Sequence, residues 1–356
     1  MKEKNLDKLG IIHKTIDEQL VVSLNFKGTS KDVPMNLEKL VTKCKKYICG
    51  PTIIVNDFGV YSKDFVDITI CLPIKKGSKI KDVEIKKLPK VEVLAVLHHG
   101  VHEKLNDSYR TIYNFMNEKG IEGTAFSREI IINYNPIQPE ENITELQIVL
   151  HKWEDRFAKN VERVLGKKIK NELMKDSEIL FTLESTLREK NKWLKIALNK
   201  LDEVATEEQK YEILSCCAHE FSDKRINYMK SIYQKTGSID AVLEEMYKDY
   251  AWYEAPKRTG NIISVTKIPY NLKGYNEAKT KEEKLKNYCH CLFVRGNLKE
   301  GVSPSFCWCG SGWYRRLWEG IIGKPVKIEL LKSLVKGDDV CEYAIHLPLD
   351  ELKVKK

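Results

Sequence analysis

The sequence predicts an α+β protein with a duplicated strand–helix–strand–strand domain, a helical segment, and a mixed domain of helices and antiparallel sheet. Three observations predict this class. Within residues 18–150, the hydrophobic period switches between two and 3.6 residues in the same order twice. Apolar residues then recur at helical spacing from Trp153 to about Tyr250, and strand-like runs return beyond Trp252. We therefore expect a first domain at 1–152, a helical linker at 153–175 and a cysteine-rich domain at 176–356.

The duplication follows from two matching series of segments. The first copy comprises the strand-like run EQLVVSLNF, an amphipathic helix, and the strands TIIVNDFG and FVDITICLPI. The second comprises VEVLAVLHHG, a helix with Leu105, Tyr109 and Ile112 on one face, and the strands SREIIINY and ITELQIVL. The last strands align internally, so that Asp67 matches Glu145. We expect paired sheets around a shared cleft, with an acid from each copy at equivalent positions.

Composition limits the classes of function. Of 356 residues, 31% are charged and 42% are apolar, which suits a soluble chain with two cores. No apolar run approaches the roughly 18 residues of a membrane span, and the start, MKEKNLDKLG, lacks a secretory signal. We therefore expect a cytoplasmic protein with reduced cysteines. The net charge of +9 comes from lysines interleaved with acids, without a helix-turn-helix or zinc-finger pattern, so nucleic-acid binding is not expected.

One stretch of the N-terminal half resembles a known family. The run LPKVEVLAVLHHGVHEKLNDSYRTIYNFMNEKGIE, followed by REIIINYNP and ITELQIVL, is similar to the GyrI-like small-molecule-binding domain. This domain is also the effector-binding domain of some AraC- and MerR-type regulators. The resemblance covers roughly residues 15–152. It implies two strand–helix–strand–strand units around a cleft that binds planar, apolar and often cationic compounds between aromatic walls and a buried glutamate.

The resemblance also implies site residues. The glutamate of the family's TEL strand falls on Glu145, and the glutamate and tyrosine of its E-x-Y strand fall approximately on Glu129 and Tyr134. Here the sequence departs from the common pattern, because Ile131 stands where a tyrosine often lies. Tyr61 is a candidate for an aromatic wall.

The pattern of ITELQIVL supports a ligand role for Glu145 independently. Alternation places Glu145 and Gln147 on the face of the strand opposite its apolar residues. A carboxylate walled by aromatic rings would be desolvated, which favours a cationic ligand or a raised pKa. The alternative is an ordinary solvated strand face. Asp67, which matches Glu145 in the first copy, and Tyr109 complete the predicted ligand-binding residues.

Three functions are compatible with these features. The first is cytoplasmic binding or sensing of drug- or toxin-like small molecules, including multidrug binding. The second is hydrolysis of reactive electrophiles, because some GyrI-like proteins hydrolyse cyclopropane-containing toxins, and Glu145 or Glu129 could act as general base. The third is the effector module of a transcription regulator that acts with a separate DNA-binding partner. The sequence predicts no membrane partner, and a homodimer is one possible oligomeric state.

Two Cys-x-Cys pairs form the main feature of the C-terminal half. In a strand, residues i and i+2 share a face, so two extended segments could bring four sulfurs together around zinc or an iron–sulfur cluster. Structural zinc sites usually use Cys-x₂₋₄-Cys, however, and a buried apolar cluster or a reactive thiol pair are the alternatives. The candidate ligands are Cys289, Cys291, Cys307 and Cys309, with Cys216, Cys217 and His219 as weaker candidates.

The C-terminal end resembles a second family. The run CWCGSGWYRRLWEGIIGKPVKIELLKSLVKGDDVCEYAIHL is similar to the 4-vinyl-reductase-type domain, a helix-and-sheet fold closed by a G-D-x-C-x-F-x-I strand. The corresponding residues are Gly337, Asp338, Cys341, Tyr343 and Ile345. The resemblance implies a domain that binds a small molecule and, in several members, cysteines that are suspected of holding a metal. The Gly337-Asp338 pair also predicts a hairpin between two strands.

Overall fold

The computed structural model describes residues 3–5, 10–57, 65–219, 221–248, 254–295 and 301–348. It divides the chain into two compact units, of which unit 1 comprises residues 1–116 and 123–151, and unit 2 comprises residues 117–122 and 152–356. Both units combine helices with antiparallel sheet, so the predicted α+β class is confirmed.

Unit 1 is built on a nine-stranded sheet with two principal helices. The helices are α1 (Val33–Cys44) and α2 (Leu105–Lys119). The strands are β1 (Glu3–Asn5), β2 (Ile12–Ile16), β3 (Gln19–Thr29), β4 (Thr52–Asp57), β5 (Phe65–Pro73), β6 (Glu84–Leu88), β7 (Val91–His99), β8 (Gly123–Asn133) and β9 (Ile143–Leu150).

The strand order of this sheet displays the duplication. The order is β1-β2-β7-β9-β8-β4-β5-β3-β6, and all neighbours are antiparallel. The first copy supplies β3, α1, β4 and β5, and the second supplies β7, α2, β8 and β9. The second copy lies in the sheet in the order β7-β9-β8, and the first copy follows in the reverse order, β4-β5-β3. The second, middle strands of the two copies, β4 and β8, therefore pair at the centre. The repeats therefore form one continuous sheet, where the sequence predicted two paired sheets.

Helices α1 and α2 lie on the same side of the sheet, which we call the helical face. The α1 residues Leu40 and Cys44 pack in a core with Ile54 of β4. Ile54 stands directly opposite Glu129 of β8, and Glu129 in turn contacts α2 through Tyr109. Because residues opposite each other on paired strands point the same way, all these contacts belong to one face. We call the other side of the sheet the second face.

Unit 2 combines helices with a four-stranded antiparallel sheet of order β10-β11-β13-β12. Its helices are α3 (Trp153–Leu173), α4 (Ser177–Leu180), α5 (Leu187–Val204), α6 (Glu207–Leu214), α7 (Asp223–Thr236), α8 (Ile239–Tyr247), α9 (Leu272–Glu277), α10 (Lys281–Tyr288), α11 (Leu292–Arg295) and α12 (Trp308–Ile322). Its strands are β10 (Lys257–Thr259), β11 (Ile262–Thr266), β12 (Lys327–Lys332) and β13 (Glu342–His346).

The predicted hairpin near the C-terminus is present as β12 and β13. These strands are antiparallel, with Ile328 opposite Ile345. The connection is longer than a tight turn, because a short 3₁₀ helix at Leu334–Lys336 precedes Gly337. Gly337 has φ 97°, a conformation that glycine adopts without a steric penalty. This residue therefore ends the 3₁₀ helix and begins the turn into β13.

The segment predicted as a linker is part of the unit 2 core. Helix α3 buries Trp153, Phe157 and Val161, and the Trp153 and Phe157 rings stack with centroids 4.9 Å apart. Trp193 of α5 packs edge-on against Phe157. Burial of such large rings contributes strongly to stability, so α3 belongs structurally to unit 2. Among the described helices of both units, none has both the length and the apolar character needed to cross a bilayer.

Candidate functional site

Glu129 is the central polar residue of the helical face. It lies on β8 and is only 8% exposed. The Tyr109 hydroxyl of α2 donates to Glu129 Oε1 at 3.0 Å, and Asn56 Nδ2 of β4 donates to the same oxygen at 3.0 Å. His102 Nε2 lies 3.6 Å from Glu129 Oε2. The carboxylate is therefore held by residues of both copies of the repeat, on the central strand pair.

Aromatic rings of α2 lie beside this carboxylate. Tyr109 and Tyr113 stack with ring centroids 6.3 Å apart, because they are four residues apart on one helical face. The Tyr109 hydroxyl also lies 3.3 Å from Ser127 Oγ. Burial, followed by the charge of Glu129, raises the pKa of Tyr109 well above its usual value. Tyr109 is therefore a neutral hydrogen-bond donor at neutral pH.

His102 is a basic side chain whose charge depends on pH and which lies close to Glu129. Its contact with Glu129 is the largest influence on its pKa and raises that pKa above its ordinary value, against the opposing effect of burial. The side chain is 73% exposed, so its interaction with Glu129 is screened by solvent. Protonation of His102 would bring a positive charge to the edge of the site.

The two middle strands contribute equivalent positions to the site. Asn56 stands opposite Ile68 in the first copy, and Glu129 stands opposite Leu146 in the second. Since Ile68 and Leu146 each follow the matched acids Asp67 and Glu145, Asn56 and Glu129 are counterparts. The duplication therefore brings an amide and a carboxylate together at the centre of the sheet.

Glu145 lies on the second face. It stands opposite Ile130 of β8, one position out of phase with Glu129, so the two carboxylates point away from each other. Glu145 Oε2 is 2.7 Å from Lys14 Nζ, and Glu145 Oε1 accepts a hydrogen bond from Gln147 Nε2 at 2.6 Å. The predicted alternation of ITELQIVL is confirmed, but Glu145 and Glu129 do not share a cleft.

The remaining predicted ligand residues are dispersed. Tyr134 follows the end of β8 and is 62% exposed. Asp67 stands opposite Lys27 on β3, and strand alternation places it on the second face, as for its counterpart Glu145. Tyr61 lies outside the described residues. Of the predicted residues, Glu129 and Tyr109 are therefore the pair that the structure brings together.

A surface pocket lies elsewhere in unit 1. It has a volume of about 410 Å³ and is formed by α1, β3 and the segment before β6. Its lining includes Asn36, Lys39, Lys43 and Asp82, and Lys43 Nζ donates to the Asp82 carbonyl at 2.8 Å. None of the predicted ligand residues lines it, and its lining contains no aromatic ring, so it does not match an aromatic binding site.

The two Cys-x-Cys pairs differ in backbone structure. Cys289 ends α10 with an extended backbone, and Cys291 precedes α11, so this pair follows the prediction of an extended segment. Cys307 ends a 3₁₀ helix and Cys309 lies in the first turn of α12, so the extended segment predicted for the second pair is wrong. Among the described residues, no cysteine belongs to a group of three potential ligand atoms within 4.8 Å of one another.

Burial dominates the chemistry of these thiols. It raises the pKa of Cys289, Cys307 and Cys309 to about 12, and raises that of Cys291 well above its usual value. Cys307 Sγ lies 3.1 Å from Ser333 Oγ, and both pairs border apolar clusters. These values describe the metal-free thiols, because a bound metal would itself deprotonate its cysteine ligands, and the zinc or iron–sulfur site stays a prediction.

The weaker metal candidates lie near α6. Cys216 is exposed, and Cys217 is buried with its Sγ 3.3 Å from the Ile213 carbonyl. Burial raises the pKa of Cys217 well above its usual value. His219 Nε2 lies 3.4 Å from Glu122 Oε2, within unit 2. The adjacent cysteines thus face different environments, and their role as metal ligands stays a prediction.

Sequence reasoning missed three residues at or beside the Glu129 site. Asn56 lies two positions after Ile54 on β4, and Ser127 lies two positions before Glu129 on β8. Strand alternation could therefore have placed both residues on the helical face once the pairing of β4 with β8 was known. From the sequence, His102 is only one of several histidines near a strand–helix junction, and its contact with Glu129 could not be predicted. Lys14, which neutralises Glu145, is 131 residues away in sequence, and no local pattern indicates it.

No protein-family model matches this chain, and no curated protein matches it. Among solved structures, the EcmrR C-terminal domain is 18% identical, with 43% of this chain and 99% of that chain covered and a TM-score of 0.36. SAV2435 bound to tetraphenylphosphonium is 9% identical, with 44% and 97% covered and a TM-score of 0.29.

A third match is EcmrR in an EcmrR–DNA complex, which is 19% identical with a TM-score of 0.34. It covers 39% of this chain, and this chain spans 56% of the length of that one. All three TM-scores lie below 0.5, so these likenesses assign neither a family nor a ligand to this chain.

Proposed function

We propose that unit 1 binds a small apolar or aromatic cation on its helical face, with Glu129 as the anionic contact. One observation carries this proposal. The Glu129 carboxylate is 8% exposed, yet among the described residues its partners are two neutral donors, Tyr109 and Asn56, and the exposed His102. A buried carboxylate without a lysine or arginine partner is costly unless a cation completes its environment.

The two oxygens of Glu129 have different roles in this proposal. Oε1 accepts hydrogen bonds from both Tyr109 and Asn56, which fix the orientation of the carboxylate. Among the described residues, Oε2 has only His102 as a partner, at 3.6 Å, and it is the oxygen that a ligand cation would approach. The neighbouring tyrosine rings supply aromatic surface, which attracts cations through their π-faces. Charge and shape together would select flat cationic compounds over anionic ones.

The test compares two glutamates of similar burial on opposite faces. Binding of the cationic dye rhodamine 6G is followed by fluorescence anisotropy, with the anionic xanthene dye fluorescein as the ligand control. We expect Glu129→Gln to raise the Kd for rhodamine 6G about tenfold or more, the usual effect of losing one buried charge contact. We expect Glu145→Gln to leave this Kd within about twofold, because Glu145 faces the other way.

Two outcomes would contradict the proposal. One is an equal increase of the Kd for rhodamine 6G in both variants while circular dichroism stays normal, which would show that binding does not depend specifically on the face that carries Glu129. The other is equal affinity for the two dyes. Tyr109→Phe serves as a graded variant, because it keeps the ring and removes one hydrogen bond to Oε1. The hydrolase and regulator alternatives stay predictions, since no contact among the described residues favours either.

A further inference from the structure

Arg128 is a buried cation on the second face of unit 1. It precedes Glu129 on β8, stands opposite Val55 and Gln147, and is 4% exposed. Within the described residues, its guanidinium has neither a hydrogen-bond acceptor nor an ion-pair partner. Arginine carries five N–H donors and remains charged in proteins. No Arg128 nitrogen is among the described side-chain atoms that are sealed from solvent without a partner, so these donors stay accessible to a small ligand.

Gln147 provides the complementary feature. Its Nε2 donates to Glu145 Oε1 at 2.6 Å, which fixes the orientation of the amide. Its Oε1 is then buried without a hydrogen-bond donor. Gln147 stands directly across from Arg128 in the β8–β9 register. An unused set of donors and an unused acceptor therefore lie on neighbouring strands and point to the same side of the sheet.

The local charges leave an excess of one positive charge. Lys14 and Glu145 form an ion pair at 2.7 Å, so they neutralise each other. Cys71 interacts electrostatically with Arg128, but burial raises the pKa of its thiol to about 11, so it carries no negative charge at neutral pH. The described groups around Arg128 thus leave its positive charge uncompensated.

We infer that Arg128 and Gln147 form a binding site for a small monoanion that carries both an oxyanion and a hydrogen-bond donor, such as a short hydroxycarboxylate. The planar guanidinium matches two oxygens of a carboxylate, which restores charge balance. The hydroxyl group donates to Gln147 Oε1, which satisfies the second unused atom. This site is separate from the Glu129 site, because it lies on the opposite face of the sheet and selects the opposite charge.

The test uses glycolate and acetate, which share a carboxylate and differ in the hydroxyl donor. Binding to the full-length protein is measured by ligand-observed saturation-transfer NMR and calorimetric titration at constant ionic strength. We expect glycolate to bind about three- to tenfold more tightly than acetate, as one additional hydrogen bond to a buried acceptor predicts. Arg128→Met should raise the Kd for both anions at least about tenfold, because it removes the only charge that recognises them.

Gln147→Leu keeps Arg128 and removes the acceptor, so we expect it to abolish the preference for glycolate while acetate binding persists. Arg110→Met, at an exposed arginine of α2 that pairs with Asp107, is the control and should change neither affinity. The inference is overturned if the parent protein binds neither anion, which would mean that water alone satisfies these groups. It is also overturned if Arg128→Met binds as the parent does. Should Arg128→Met fail to fold, the loss of preference in Gln147→Leu decides the question.

Discussion

Glu129 and Glu145 lie on adjacent strands of one sheet, yet their carboxylates point to opposite faces. The register that pairs Ile130 with Glu145 places Glu129 opposite Leu146, and this single-residue offset separates the two acids. Each carboxylate therefore has its own partners, Tyr109 and Asn56 for one, Lys14 and Gln147 for the other. The two faces can be tested by separate substitutions.

The Lys14–Glu145 pair offers a prediction about stability. Both side chains are largely buried, with 10% and 13% of their surfaces exposed. Lys14→Met alone leaves Glu145 with one hydrogen bond and no counter-charge, and should lower the free energy of unfolding by about 3 kcal/mol. Lys14→Met combined with Glu145→Leu should cost much less, because no charge remains buried. Urea unfolding of both single variants and the double variant gives the coupling energy, and simple additivity would contradict the assigned pairing.

The His102–Glu129 contact predicts how dye binding depends on pH. The contact raises the pKa of His102 above its ordinary value, and below that raised pKa the protonated His102 competes with a ligand cation for Glu129. As pH rises through that value, the competing charge is lost, and affinity for rhodamine 6G should increase roughly two- to fivefold between pH 6 and 8.5. His102→Gln should flatten the profile. An unchanged slope in that variant would show that another group titrates.

The cysteines predict a pattern of chemical modification. Cys49 and Cys216 are exposed, whereas the others are partly or fully buried. Since the thiolate is the reactive form, two thiols should react rapidly with a disulfide reagent at pH 8, and the rest only on unfolding. Metal analysis of protein purified without oxygen should give less than about a tenth of an equivalent of zinc or iron. A stoichiometric metal that is lost when Cys291 or Cys309 is replaced by serine would instead support the ligand role predicted for Cys289, Cys291, Cys307 and Cys309.

Lys190 predicts a rise in stability at alkaline pH. It is 2% exposed, and its Nζ donates to the carbonyls of Lys119 and Gly120. Burial lowers its pKa from 10.5 to about 8, despite the nearby Glu154. Between these values the unfolded state binds more protons, so stability increases with pH across this window. The parent should gain up to roughly 3 kcal/mol over Lys190→Met between pH 8 and 10.5 in urea unfolding. A constant difference between the two proteins would contradict this assignment.

Much of the fold was predictable because its elements have clear periodicity. The duplicated pattern of strand and helix, the faces of ITELQIVL and the final hairpin all depend on local alternation, and the structure has each of them. The start of α12 was missed because glycines interrupt its first turns. Its later residues Tyr314, Leu317, Trp318 and Ile321 have helical spacing, and all are buried. Extending this helical spacing toward the N-terminus would have placed Cys309 in a helix.

The site was predictable only in part, because register is a property of paired strands. The sequence indicates that Glu129 and Glu145 each lie on a strand, but only the β8–β9 pairing determines that they point apart. The counter-charge of Glu145 comes from β2, which lies outside the repeat altogether. Asn56 contributes through the inverted strand order, which joins the two copies at their middle strands.

The pairing of β4 with β8 affects how the two copies of the repeat can differ in sequence. In an assembly of two identical copies, the counterparts of Asn56 and Glu129 would be the same residue, and two glutamates would repel each other across the axis. Covalent fusion of the copies removes this constraint, so one half can keep an acid while the other supplies a neutral donor. Under the proposed function, a ligand would then meet a polarised surface, acidic on one side and neutral on the other, which two identical copies could not offer.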